Sequence, residues 1–195
     1  MKVQIDELTF EKMLKGTKSF VSADNCRPIL KYIRLDVKAY ELIFSALDGY
    51  RATRIHVPKE SPEEFTVFFP PFDFKASKSG SRQVTISKEN DVCKIEIETI
   101  LFTDTIYQFK QPTESGVDIH KVYDKQNFPK QKIVFNAAYL SQALNAIKGI
   151  SNDVHKTAII EIAGQLEPII VKNKDKEFLV EELILPIRIS EEKTE

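Results

Sequence analysis

IVFNAAYLSQALNAIK, residues 133–148, is the stretch that decides the fold. Its first three residues are β-branched or aromatic and favour a strand over Ile133–Phe135. Asn136 is a good N-cap for a helix over Ala137–Lys148, whose apolar residues recur every three or four positions and share one face: Leu140, Ala143, Leu144 and Ile147. Alternating residues downstream predict three further strands: Thr157–Ile162, Ile169–Lys172 and Phe178–Ile189.

The same order of elements occurs at the start of the chain. A helix is predicted over Glu7–Lys15, with Asp6 as its N-cap and Gly16 as its end. Alternating apolar residues then predict strands at 33–37, at 42–46 and at Arg51–Val57. The last of these follows Asp48-Gly49, a dipeptide that favours a tight turn.

A second copy lies between these two. It begins with a predicted strand at Phe65–Phe69 and a short helix at Phe72–Lys78, which two prolines precede. Three alternating strands follow: Val84–Ser87, Val92–Glu98 and Leu101–Phe109.

The chain is therefore predicted to contain three β-α-β-β-β half-units that begin near residues 1, 63 and 131. The stretch Lys110–Lys130 has few apolar residues and is predicted to be the linker. We expect an α+β fold with antiparallel sheets and short helices on one face. The predicted domains are 1–124, with half-units 1–60 and 61–124, and 125–195.

Composition excludes several classes of function. The 195 residues carry 28 basic and 29 acidic side chains, which argues against binding of nucleic acid through overall charge. The chain lacks the usual phosphate-binding, zinc-protease and serine-hydrolase motifs, and its three histidines have no ligand-like spacing, so we predict no catalytic residue, metal or cofactor. Cys26 and Cys93 are expected to be reduced, and a start without an apolar leader predicts a cytoplasmic protein.

Four separated segments of the first 122 residues are RPIL at 27–30, ALDGYRA at 46–52, FTVFFP at 65–70 and VDIHKV at 117–122. They resemble elements of the middle domain of the bacterial sliding clamp, the beta subunit of DNA polymerase III. IVFNAAYLSQAL at 133–144 and LPIRI at 185–189 are similar to the last half-domain. The resemblance implies a DNA-clamp-like fold in which the first domain and half of the third are missing.

The resemblance also implies a hydrophobic pocket that binds short linear peptides of polymerases and repair proteins. The residues that correspond to its walls are Leu47, Gly49, Tyr50, Arg51, Ala52, Val122, Leu183, Leu185, Pro186, Ile187 and Arg188. Tyr50 replaces the family's usual histidine and Ala52 a leucine, so the shape of the pocket differs. The alternative is that Leu183, Leu185 and Ile187 are core strand residues and Gly49 is a turn glycine.

A clamp contacts the DNA backbone through positive charge without reading bases. The residues that we predict to contact DNA are basic and lie in or after the predicted helices: Lys12, Lys15, Lys18, Lys75, Lys78, Arg82 and Lys148. The alternative is an ordinary solvated helix face, because lysines at helix ends also interact with the helix dipole.

The sequence leaves three functions open. The first is a non-catalytic processivity factor, a homo-oligomer in which four copies would supply the twelve half-units of a ring. The second is a monomeric peptide-binding module that competes with a host clamp. The third is an enzyme of another type, which the motif search does not favour.

Overall fold

The computed structural model describes residues 1–23, 26–79, 81–99, 103–113, 119–124, 132–150, 154–174 and 179–187. The chain divides into two compact units, Met1–Gln126 and Asn127–Glu195. Its sheets are antiparallel and its helices are few and short, which confirms the predicted α+β fold.

The first unit contains two four-stranded sheets. Its elements are β1 (Lys2–Asp6), α1 (Glu7–Lys18), a 3₁₀ helix (Pro28–Lys31), β2 (Ile33–Val37), β3 (Glu41–Leu47), β4 (Ala52–Pro58), β5 (Phe65–Phe69), β6 (Gln83–Glu89), β7 (Val92–Glu98), β8 (Thr103–Lys110) and α2 (Ile119–Asp124). The strand orders are β1-β6-β7-β8 and β4-β3-β2-β5.

The two half-units of the first unit exchange their first strands. β1 belongs to the first half-unit but pairs with β6 of the second, with Val3 opposite Ile86. β5 belongs to the second half-unit but pairs with β2 of the first, with Leu35 opposite Val67. Each sheet therefore consists of three consecutive strands plus one strand from the other half-unit.

Apolar residues from both sheets and α1 form one core. The inward-facing residues of β2, Ile33, Leu35 and Val37, are at most 1% exposed, and Phe10 of α1 is fully buried. The ring of Phe10 contacts four other phenylalanines: Phe44, Phe69, Phe72 and Phe74. The alternation of apolar and polar residues along the predicted strands thus corresponds to side chains that face the core and the surface in turn.

The N-cap of α1 is confirmed, but its predicted end is wrong. The side chain of Asp6 accepts a hydrogen bond from the backbone N–H of Thr9 at 2.8 Å. The helix continues through Gly16 to Lys18. A Cβ atom at Gly16 would lie 2.6 Å from Cδ1 of Ile55, so this glycine permits close packing of α1 on β4.

The predicted helix over Phe72–Lys78 is also wrong, because this segment has no helical structure. Phe72 and Phe74 both pack against the core, and a spacing of two residues suits an extended chain. The backbone N–H of Ser77 donates to Oε2 of Glu7 at 2.7 Å. Core packing and this hydrogen bond favour the extended path over a helix.

The stretch predicted as a linker contains α2, so that prediction needs a correction. Ile119 of α2 is 3% exposed. Nε2 of His120 lies 2.9 Å from a carboxylate oxygen of Asp36, and the hydroxyl of Tyr123 donates to the carbonyl of Ala52 at 3.0 Å. These contacts attach α2 to the β2–β4 sheet.

The described residues of the second unit form one helix and one three-stranded sheet. It comprises α3 (Ala137–Ile150), β9 (Ile159–Ile162), β10 (Ile169–Lys174) and β11 (Leu179–Ile184), with strand order β11-β10-β9. Asn136 caps α3 as predicted, its side-chain oxygen accepting from the N–H of Ala138 at 2.9 Å.

Two strand predictions for the second unit were wrong in extent. Residues 132–136 do not form the predicted strand, although the carbonyl of Val134 accepts a hydrogen bond from the N–H of Ile187 at 2.6 Å. β11 ends at Ile184 instead of continuing toward 189. Pro186 lacks the N–H that a continuing strand would use.

Candidate functional site

The turn between β3 and β4 is held by the Asp48 side chain. One carboxylate oxygen of Asp48 accepts from the backbone N–H groups of Tyr50 and Arg51, each at 2.9 Å, and the other accepts from Nε of Arg51 at 2.8 Å. These hydrogen bonds, chiefly the one from the Arg51 side chain, lower the pKa of Asp48 to about 2. Gly49 has φ +98°, a conformation that other residues rarely adopt.

Arg51 has three contacts within the first unit. Besides pairing with Asp48, its Nη2 donates to the carbonyl of Ser19 at 2.8 Å, and its guanidinium lies 5.2 Å from the ring centroid of Phe20. Arg51 therefore links the turn to the end of α1. Tyr50 is 97% exposed, so its ring extends into solvent from this turn.

The structure brings five predicted peptide-site residues to one end of a hairpin. Leu47 lies opposite Ala52 in the β3–β4 ladder, and the other three form the turn between them. Tyr123 joins α2 to Ala52, which places the helix that contains Val122 beside this hairpin; the side chain of Val122 lies outside the described residues.

An apolar depression that the sequence did not assign adjoins Leu47. It is shallow, with a volume of about 30 Å³, and is lined by residues that include Ile29, Leu30, Phe68 and Ile119. Ile29 and Leu30 belong to the RPIL segment, so the clamp-like motif itself was the signal for this part of the surface.

A cluster of hydrogen-bonded side chains around the buried Asp36 adjoins the depression, because Arg34 belongs to both. Both oxygens of Asp36 accept hydrogen bonds from Arg34, each at 2.8 Å, and Thr66 donates to the same carboxylate at 2.6 Å. Burial raises the pKa of Asp36, but the hydrogen bonds from Arg34, Thr66 and His120 outweigh it and hold the pKa below its usual value. The charged carboxylate thereby fixes α2 and β2 in one arrangement.

The predicted residues at the C-terminal end of the second unit are exposed. Leu183, Leu185 and Ile187 are 62%, 67% and 48% exposed, while Ile184 is 4% exposed. The interpretation of these three as core residues is therefore wrong for the second unit. Pro186 lies between them and is half-buried, and Arg188 lies outside the described residues.

The predicted basic residues of the first unit come from two adjacent segments. Lys18 pairs with Asp73 at 2.5 Å, which joins the end of α1 to the segment that contains Lys75 and Lys78. Lys15 pairs with Glu11 at 2.7 Å. Hydrogen bonding to Lys15 is the main cause that lowers the pKa of Glu11, and the charge of Lys75 adds to it.

All five predicted lysines of α1 and the neighbouring segment are exposed: Lys12, Lys15, Lys18, Lys75 and Lys78. Glu11 and Asp73 offset part of their charge.

Arg82 is placed differently from these lysines. Its Nε donates to Oε2 of the fully buried Glu7 at 2.8 Å, and its Nη2 donates to the carbonyl of Lys75 at 3.1 Å. Burial raises the pKa of Glu7, but hydrogen bonds from Ser77 and Arg82 outweigh it and lower the pKa to about 2. Arg82 therefore stabilises the segment that contains Lys75 and Lys78 through its hydrogen bond to the carbonyl of Lys75. Lys148 lies in the last turn of α3, in the second unit.

Within the described ranges, no three histidine, cysteine or acidic side chains are grouped so that they could hold a metal ion. The described helices include none with the length and apolar character needed to cross a membrane.

The first unit thus combines half-units that exchange strands, short helices and antiparallel sheets. Solved structures of DNA polymerase III beta subunits share this fold. The beta chain of Streptococcus pneumoniae is 18% identical with a TM-score of 0.73, and the match covers 96% of this chain and 50% of that one. The Bacillus subtilis sliding clamp is 17% identical with a TM-score of 0.74, covering 95% and 49%.

The Pseudomonas aeruginosa sliding clamp bound to griselimycin is 16% identical with a TM-score of 0.73, covering 95% of this chain and 50% of that one. No family model matches the sequence, and no curated protein matches it. The expected resemblance is confirmed as a shared fold, over a chain that spans about half the length of these clamps.

Proposed function

We propose that this chain is a non-catalytic, clamp-like accessory factor of DNA replication that keeps a polymerase or repair protein on DNA. The clamp fold is the observation that carries the proposal. A protein of this class acts by holding its partners near the duplex, which requires a basic surface and a peptide-binding surface but no catalytic group.

The lysines of the first unit support the DNA-binding part. Lys18 at the end of α1 pairs with Asp73, and Glu11 of α1 interacts with both Lys15 and Lys75, so lysines from two separate parts of the sequence come close to each other. Flexible lysines can contact phosphates without base recognition and release counterions when they do. The balanced net charge of the chain does not oppose this, because only the local charge faces the DNA.

The double variant Lys12→Glu, Lys15→Glu tests DNA binding. We expect weaker binding to a labelled duplex and a salt dependence whose slope falls by about 2, one for each lost phosphate contact. Fluorescence anisotropy between about 50 and 200 mM salt measures both quantities. Lys38→Glu, Lys59→Glu is the matched control, since it reverses two exposed lysines elsewhere in the unit. Equal loss in both variants, or none in the first, would contradict the proposed surface.

The exposed C-terminal residues support the peptide-binding part. In the second unit, apolar surface is exposed to solvent at Leu183, Leu185 and Ile187. In the first unit, it is exposed at Leu47 and Tyr50. The likeness to a clamp that is bound to griselimycin agrees with a ligand surface in this fold. Each surface offers apolar contacts of the kind that accept leucine and phenylalanine side chains.

A labelled peptide with leucine and phenylalanine anchors tests this part. Leu185→Ala is expected to abolish its binding. Leu166→Ala is the matched control, because Leu166 is a leucine of the same unit with 65% exposure against 67% for Leu185. Binding that survives Leu185→Ala, or is lost equally in both variants, would remove Leu185 from the site.

The alternative function is a monomeric peptide-binding module. It is favoured by the same exposed leucines, since peptide binding by one chain requires no ring. Peptide binding together with the absence of DNA binding would support this alternative over the processivity factor.

A further inference from the structure

The second unit leaves open the edge of its sheet that the first unit closes by strand exchange. β9 pairs with β10 on one side, and no described strand pairs with its other side. Its counterparts in the first unit, β2 and β6, each have a strand from the other half-unit at this edge. The N–H and C=O groups at the edge of β9 therefore form a template for another strand.

The inner face of β9 is open as well. Ile160 and Ile162 lie opposite Val171 and Ile169, two buried residues of β10, so they face the core side of the sheet. Both are nevertheless 46% exposed. α3 packs on β10 and β11, as α1 packs on β3 and β4, so each helix packs mainly on the last two strands of its half-unit and not on β9 or β2.

Residues 132–136 lie where a strand for exchange would begin. In the first unit, the amide of Gln111 beyond β8 accepts from the N–H of Phe68 and donates to its carbonyl, each at 2.8 Å, while β5 pairs with β2 on its other side. In the second unit, Ile187 beyond β11 donates to the carbonyl of Val134. Val134 thus corresponds to Phe68, but its segment has no strand on the other side.

One copy of the unit cannot join its own two open sites. Residues 132–136 lie beside the segment that follows β11, whereas the open edge belongs to β9 at the opposite side of the three-stranded sheet. Two copies related by a twofold axis can join them twice, because each copy offers both a donor segment and an acceptor edge.

We propose that a second copy of this chain covers β9, each copy adding residues 132–136 as a fourth strand to the sheet of the other. The assembly repeats the exchange between β1 and β5 of the first unit. Alternation and the length of β9 set the register, because a shift by one residue would turn Ile133 and Phe135 away from the core, and a shift by two would pair one of them beyond the ends of β9. Phe135 then lies opposite Ile160, Val134 opposite Glu161, and Ile133 opposite Ile162.

Sedimentation equilibrium of the full chain tests the assembly. We expect a mass of at least twice 22.4 kDa that falls toward the monomer on dilution. Ile160→Lys places a charge on the covered face and is expected to abolish this association. Ile159→Lys is the matched control, because Ile159 lies on the same strand but on the other face, and association should persist.

A disulfide provides a second measurement that does not depend on weakening the fold. Because Val134 directs its carbonyl toward Ile187, it is a non-hydrogen-bonded position on its other side, where opposing Cβ atoms come closest. In a Cys26→Ser background, Val134→Cys, Glu161→Cys is expected to form covalent dimers on oxidation, and either substitution alone is not.

A wild-type monomer at all concentrations would overturn the proposal, as would equal effects of the two lysine substitutions or the absence of the disulfide. These outcomes concern assembly alone, so DNA and peptide binding can succeed or fail independently of them.

Discussion

The two units contain the same kind of half-unit, yet the second buries its apolar residues less completely than the first. In β2 of the first unit the inward-facing residues are at most 1% exposed, whereas Ile160 and Ile162 of β9 are 46% exposed. Both strands are apolar, and both belong to a sheet that packs on a helix. The difference lies in the exchanged strands, so a half-unit of this kind is a closed structure only as one of a pair.

The largest effect is expected at equivalent positions of the two helices. Phe10 and Leu140 each lie four residues after an N-cap, but Phe10 is fully buried and Leu140 is only half-buried. Phe10→Ala should lower the free energy of unfolding by about 3–5 kcal/mol and Leu140→Ala by about 1–2 kcal/mol. Urea unfolding followed by circular dichroism measures both. Equal losses would show that the second unit is as closed in solution as the first.

A somewhat smaller effect is expected where a salt bridge joins the half-units of the first unit. Glu7 has a pKa of about 2 against 4.5 as its ordinary value, so it stabilises the fold fully above about pH 4.5 and loses this contribution as the pH falls toward 2. Glu7→Gln should cost about 3 kcal/mol at neutral pH, because it leaves Arg82 without its buried charge partner.

Urea midpoints between pH 2 and pH 5 check this prediction, since the variant should show a shallower loss of stability over the range set by the Glu7 pKa. Glu11→Gln is the control on the same helix, where a pair with Lys15 is lost and a smaller change is expected. An unchanged pH profile in Glu7→Gln would mean that this carboxylate does not hold the half-units together.

The smallest effect is expected at two glycines, one in each unit. A Cβ at Gly49 would lie 2.8 Å from Nη2 of Arg27 in a backbone with φ +98°, so Gly49→Ala should destabilise the first unit by about 1–2 kcal/mol. A Cβ at Gly149 meets nothing within 4 Å, and Gly149→Ala should stabilise α3 by about 0.5–1 kcal/mol. Thermal unfolding measures both. A stabilising Gly49→Ala would contradict the role given to the Gly49 turn, and a destabilising Gly149→Ala would contradict the open surroundings of Gly149.

Local signals in the sequence were enough for the elements whose causes are local. Asp6 and Asn136 cap their helices as predicted, and the predicted ranges of β5 and β7 equal the observed ones. These elements depend on caps and on alternation, which act over a few residues. The clamp-like motifs extended the prediction to the fold as a whole.

Features that depend on distant contacts were missed. Gly16 permits close packing on Ile55, a residue of β4, and Phe72 with Phe74 follows the core instead of a helical path. The hydrogen bonds of Glu7 to Ser77 and Arg82 join residues about seventy positions apart. Neither the secondary-structure propensity of a residue nor the periodicity of apolar residues indicates contacts between such distant positions.

The candidate site could be predicted only in part. The turn residues from Leu47 to Ala52 lie together because they are neighbours in sequence, and the RPIL motif pointed toward the adjoining depression. The sequence did not reveal that Arg51 pairs with Asp48 and Ser19, nor that Arg82 pairs with a buried carboxylate. Their roles toward peptide and DNA stay predictions.

The exchanged strands of the first unit also bear on how the chain is made. Gln4 on β1 donates a side-chain hydrogen bond to Thr85 on β6, 81 positions later. During synthesis, α1 and β2–β4 emerge before β5 and β6 exist, so the early half-unit has neither the strand that completes its sheet nor a sheet for its own first strand. Contacts between residues so far apart in sequence slow folding, and the apolar strands stay exposed to solvent until these contacts form. The first unit therefore becomes stable late in synthesis, and in a single step, once the second half-unit has been made.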